Sequence, residues 1–206
     1  MAIEIIDGEN DAAIAAWIED RLLIALEAAD GTDIAITVPG GSTPFPILGL
    51  LAQSALDWQR IAVWPGDDRI VDERHQASNV GRIRALLEPM GARMVPLAEG
   101  ARPPHFALTW LGMGADGHIA SLFPNSDPHA DDPATVRRLA PDPLPPEAPF
   151  ERLTLTIAAL INSDALLFLI RGAEKRALFE AAAVGANDLP VGRLLAARRQ
   201  PVTCFT

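Results

Sequence analysis

Cys204 is the only cysteine in this chain of 206 residues, so no intrachain disulfide can form and a reducing compartment is the default expectation. Positive charge is also scarce, with 17 Lys and Arg against 27 Asp and Glu and a net charge of −10. That balance argues against nucleic acid or an anionic membrane as a partner. It does not exclude a small anionic ligand, because a local cluster of donors overrides the global sign. No basic stretch precedes an apolar core near the first residues, and no apolar run approaches the ~20 residues of a membrane span. A cytoplasmic protein is expected. A Walker loop is missing, as is a GxGxxG turn. There is no convincing metal cluster, no internal repeat and no sign of a second domain, so residues 1–206 read as one domain.

What is present is an alternation of short apolar strands and helical runs. Ile3–Ile6 reads as a first strand, and 11–29 as a packing helix with an Ile14, Ile18, Leu22 stripe ended by Asp30-Gly31. Strands follow at 34–38, 61–64, 94–97, 106–111, 152–157 and 165–170, with helices at 45–53, 80–87 and 175–184. The end, 200–205, supplies a last edge strand. Segment 125–149 is rich in proline and aspartate without a period and reads as a long loop. This pattern predicts a three-layer α/β/α, Rossmann-like fold around a mainly parallel sheet.

The polar clusters all follow strands. After 34–38 comes Pro39-Gly40-Gly41-Ser42-Thr43-Pro44. Ser42 or Thr43 can cap a helix there, with Pro44 at its first position. The N–H groups of Gly41, Ser42 and Thr43 would then suit an anion, most naturally a phosphate. A βα turn that only needs flexible residues and a cap accounts for the same letters equally well. After 61–64 come Asp67-Asp68-Arg69, which alone read as a solvated acidic turn with a local ion pair. After 165–170 comes Arg171-Gly172-Ala173-Glu174-Lys175. Lys175 there opposes the helix dipole and is either a surface lysine or one reaching for an anion.

The richest cluster is Leu111 to Pro124, LGMGADGHIASLFP. Its glycines permit positive φ and close approach. Asp116 and His118 sit within the turn, and a helix beginning near His118 would hold both at the carboxyl edge of the sheet. In isolation the pair could equally be a solvated Asp and an incidental His. His75 and His129 read as surface loop residues.

Taken together, GGSTP, DDR with Ser78-Asn79, GMGADGHIASLFP, Arg152-Leu153-Thr154-Leu155-Thr156 and GAEK occur in an order that resembles the glucosamine-6-phosphate isomerase/6-phosphogluconolactonase family. The resemblance spans about residues 34–180. It implies a cofactor-free enzyme that hydrolyses 6-phospho-D-glucono-1,5-lactone, acting as monomer or weak homodimer on a sugar phosphate. His118 would be the general base, since an imidazole's ordinary pKa near 6.5 leaves much of it neutral, and Asp116 would orient it. Gly40, Gly41, Ser42 and Thr43 would hold the phosphate, with Arg69 and Lys175 as cationic partners and Arg152 as a weaker one. Asp67 would contact sugar hydroxyls or support the loop. The deaminases of the family carry a glutamate where this chain has Phe123, so a deaminase is the alternative implied less strongly. A non-catalytic sugar-phosphate binder is another. The family usually reads Asp-Glu-Arg where this chain has Asp67-Asp68-Arg69, and segment 87–106 looks one helix short.

Overall fold

A computed structural model describes residues 2–142 and 149–206. Among them, seven strands form a parallel sheet in the order β1-β10-β9-β6-β2-β3-β5. These are β1 (Ile3–Ile6), β2 (Ile34–Val38), β3 (Ile61–Pro65), β5 (Arg93–Met94), β6 (Leu108–Leu111), β9 (Leu166–Leu169) and β10 (Val202–Phe205). A separate antiparallel sheet of β4 (Asp67–Arg69), β8 (Arg152–Leu155) and β7 (Val136–Leu139) stands beside it.

The period of two in the strands sorts the core into two layers. Ile34, Ile36 and Val38 of β2 and Ile61 and Val63 of β3 face one side. There they meet α1 (Asp11–Ala28), α2 (Pro44–Leu51) and α3 (Asn79–Leu87) through residues such as Ile14, Ile18, Ile47 and Ile83. Leu166 and Phe168 of β9 face the other side. They pack with α4 (Ile157–Leu160), α5 (Ala173–Ala183) and α6 (Pro190–Ala197) through Leu160, Phe179 and Leu194. The three-layer α/β/α architecture with its mainly parallel sheet follows directly.

Strand order matters for what comes next. From β2 the chain winds outward to β3 and β5, then returns to the opposite side of β2 as β6. The order in which strands are added therefore reverses between β2 and β6, and loops leaving the carboxyl ends there diverge to open a crevice. Those loops carry GGSTP and GMGADGH.

Several expectations need correction. No helix starts at His118: Ala120 has φ 48° and Ile119 bridges back to Leu122, which folds the chain into a tight loop. The carboxyl-terminal strand is not an edge, because β1 pairs outside it. The Asp67–Arg69 turn is a strand, paired with β8. The strand expected at 94–97 is Arg93–Met94 alone, and that expected at 106–111 starts at Leu108. Segment 125–149 contains β7, while its residues 143–148 lie outside the described ones. Neither Ser42 nor Thr43 caps α2, since Thr43 at the cap position is already in helical backbone and its side chain accepts nothing.

Candidate active site

A cleft of about 330 Å³ opens at the carboxyl edge where the strand order reverses. It collects Gly40, Gly41, Ser42 and Thr43 behind β2, Asp67 and Arg69 of β4, His118 behind β6, Arg152 of β8 and Lys175 of α5. Of the residues expected from sequence, Asp116 alone is not part of the lining, and it is bonded to His118.

The imidazole is held by its own loop. His118 Nδ1 lies 2.6 Å from Asp116 Oδ1, and the same oxygen accepts the His118 backbone N–H at 3.2 Å. A carboxylate only accepts, so the shared proton belongs on Nδ1 and the lone pair is left on Nε2. Nε2 meets no partner among the described residues, in a side chain still one-third exposed. Partial burial pushes the Asp116 carboxyl up, but the His118 charge and N–H donors outweigh it and leave it below the ordinary 3.8. The ring also packs against Phe123, centroids 4.8 Å apart, and Arg152 stands 5.6 Å from that same phenyl ring. Phe123 thus backs the imidazole from outside the cleft lining.

The small sheet explains the DDR triplet. Alternation along β4 turns Asp67 and Arg69 to one face and Asp68 to the other. Asp67, 6% exposed, accepts from Ser121 Oγ and Asn79 Nδ2 and lies 3.9 Å from Arg152. Arg69 donates to the Ala77 carbonyl at 2.9 Å. Asp68 instead accepts from the backbone N–H groups of Arg69, Asn79 and Val80 at 2.8, 2.6 and 3.3 Å, and from Ser78 Oγ. Burial pushes the Asp68 carboxyl up, against the pull of these donors. It anchors the start of α3 and is not in the cleft lining.

At the opposite end, Gly41 has φ 89° and leads into α2. The N–H groups of Gly41, Ser42 and Thr43 donate to nothing among the described residues. Pro44 and Pro46 remove two further donors, so these amides form the positive end of the helix. Lys175, the chain's sole lysine, is half-buried and has no hydrogen bond or ion pair among the described residues. That combination suits a phosphate.

Sequence reading missed three residues of the site. Asn79 and Trp110 line the cleft, each 1% exposed, with Asn79 Oδ1 and Trp110 Nε1 unpartnered. Arg171 lines it too. Arg171 carried a usable signal, since it follows a strand as the other clusters do, and Asn79 stood in the Ser78-Asn79 pair of the family-like pattern. Trp110 owes its place to long-range packing.

Comparison with known proteins gives a consistent result. A model of the family described as glucosamine-6-phosphate isomerases/6-phosphogluconolactonase matches residues 9–102 and 87–203. A 6-phosphogluconolactonase of Neisseria meningitidis is 31% identical over 222 positions, covering 95% of this chain and 94% of the relative. One from Pseudomonas aeruginosa is 35% identical over 219 positions, covering 96% and 87%. The fold is shared with the crystal structure of a 6-phosphogluconolactonase from Shewanella baltica. There the TM-score is 0.83 at 24% identity, covering 99% of this chain and 97% of that one.

Proposed function

Because the chain belongs to the glucosamine-6-phosphate isomerase/6-phosphogluconolactonase family, we propose that it hydrolyses 6-phospho-D-glucono-1,5-lactone to 6-phospho-D-gluconate in the oxidative branch of the pentose phosphate pathway. The observation that carries this reading is the His118–Asp116 pair, with a free Nε2, in the same cleft as the unused amides of Gly41–Thr43.

The chemistry follows from those two ends. His118 Nε2 takes a proton from water as the water oxygen attacks C1 of the lactone. Positive charge then develops on the ring, and Asp116, an anion bonded to Nδ1, stabilises it. The tetrahedral centre collapses by breaking the bond from C1 to the ring oxygen. The proton held on Nε2 returns to that oxygen, leaving a hydroxyl at C5 and a carboxylic acid at C1, which releases its proton to solvent and leaves as the carboxylate. Such base assistance is worth ~10²–10⁴ in rate. Phosphate held by Gly40–Thr43 and Lys175 fixes the carbonyl relative to the base, which converts binding energy into orientation. Arg152 and Asp67, a buried pair, support the sugar end, and Arg69 adds positive charge between the two ends.

The deaminase alternative loses ground at Phe123. A carboxylate there would serve a ring-opening histidine, whereas a phenyl ring 4.8 Å from the imidazole gives it no proton path. The reading extends to a cytoplasmic enzyme, monomeric or weakly dimeric, acting on a free sugar phosphate. No described helix is long and apolar enough to cross a membrane. The test is lactone disappearance with purified protein, corrected for spontaneous hydrolysis and run beside ammonia release from glucosamine 6-phosphate.

A further inference from the structure

Arg171 follows β9 directly and lines the same cleft as Lys175, four residues further on. Its guanidinium lies 3.4 Å from Asp11 Oδ1, at the start of α1. Both side chains are well exposed, 39% and 44%, a setting in which an ion pair contributes little and is readily exchanged. Asp11 does not depend on this partner, because it sits in the first turn of α1, where the helix dipole favours a carboxylate.

The other cations nearby have partners of their own. Arg69 is turned to the Ala77 carbonyl, and Arg152 is buried against Asp67. Arg176 is tied to Asp7 and Glu180. Among the described residues of the cleft, Lys175 has no hydrogen bond or ion pair, and Arg171 has a long, exposed one. A phosphate monoester carries close to two negative charges at neutral pH, more than the single charge of Lys175 matches, so a further cation at that end has a use. A guanidinium offers two parallel donors to phosphate oxygens, which a long contact with one carboxylate oxygen does not use.

We propose that Arg171 is a specificity-determining residue for phosphorylated lactones, exchanging Asp11 for the substrate phosphate and closing on it beside Lys175. Asp11 is then an internal competitor that holds Arg171 until the phosphate arrives. This rests on the lactonase reading of the cleft and adds a residue to it. The exchange favours phosphorylated over unphosphorylated lactones, because only the former give Arg171 a better partner than Asp11.

The experiment compares kcat/KM for 6-phosphogluconolactone and for glucono-1,5-lactone in four proteins: wild type, Arg171→Gln, Asp11→Asn and the double variant. Arg171→Gln lowers the selectivity ratio about tenfold through KM, the size of one charge-assisted contact. Asp11→Asn raises the ratio, and has no effect once Arg171 is replaced. An unchanged ratio in Arg171→Gln, an equal loss on both lactones, or an Asp11→Asn effect that survives without Arg171 overturns the proposal. If the wild type does not exceed spontaneous hydrolysis, the lactonase reading fails separately. Calorimetry with inorganic phosphate on the same four proteins then decides the exchange. Tighter binding in Asp11→Asn and weaker in Arg171→Gln supports it, and equal binding overturns it.

Discussion

Gly114 and His118 are sterically matched: a Cβ built on Gly114 would lie 2.1 Å from both Cε1 and Nδ1 of the imidazole. The Gly114 N–H also donates to the His118 carbonyl at 2.9 Å, closing the loop that presents the ring. Gly114→Ala must therefore displace a movable ring rather than backbone. The expected outcome is a kcat reduced about 10²-fold, as for a misplaced catalytic group, with a thermal midpoint close to wild type. Steady-state kinetics beside a melting curve checks it.

Asp116 has a pH signature. Its folded carboxyl titrates below the ordinary 3.8, so the ionised form stabilises the fold. That contribution is complete above 3.8 and is lost as pH falls through the lower folded value. Asp116→Asn should accordingly be less stable than wild type in urea at neutral pH, with the gap closing in strong acid. A gap that widens in acid contradicts the assignment. Turnover should fall at neutral pH, because the amide no longer offsets charge on the ring.

Asp67 and Asp68 are neighbours with separate tasks, which activity and stability measurements can divide. Asp68→Ala strips acceptors from the start of α3 and should cost about 1–2 kcal/mol in urea unfolding, the usual size of a lost cap. Its kcat/KM, measured well below the melting range, should stay within a few-fold of wild type. A large loss of kcat with unchanged stability would put Asp68 in the chemistry instead.

Lys175 gives the phosphate end an unusually clean probe. As the sole lysine, it is the only side-chain amine that an acylating reagent can mark. Bound 6-phosphogluconate should protect it, as peptide mapping would show. Lys175→Ala should raise KM with little change in kcat. Labelling at the same rate with and without product, together with an unchanged KM, would move the phosphate elsewhere.

Much of this site was legible because its parts follow strands. GGSTP, GMGADGH and GAEK each sit where an apolar run stops, and the sheet edge gathers such loops whatever lies between them. The rest depended on pairings that one-dimensional patterns do not contain. The DDR triplet reads as a turn because three residues show no period, yet its partner, Arg152–Leu155, lies more than 80 residues away. That pairing also buries Arg152, whose charge is balanced by Asp67 rather than by solvent. The last strand reads as an edge because nothing follows it, but β1 closes over it from the other end of the chain. At His118, helix-forming letters lost to the backbone, since Gly117 and Ala120 both take positive φ.

The central claim is that His118 abstracts the proton from water. Its most direct measurement is kcat of His118→Ala on 6-phosphogluconolactone, corrected for spontaneous hydrolysis, alongside product affinity and the thermal midpoint. The account predicts a kcat at least ~10²-fold lower, with 6-phosphogluconate still bound and the fold intact. A kcat within about threefold of wild type, well short of that general-base range, would contradict it.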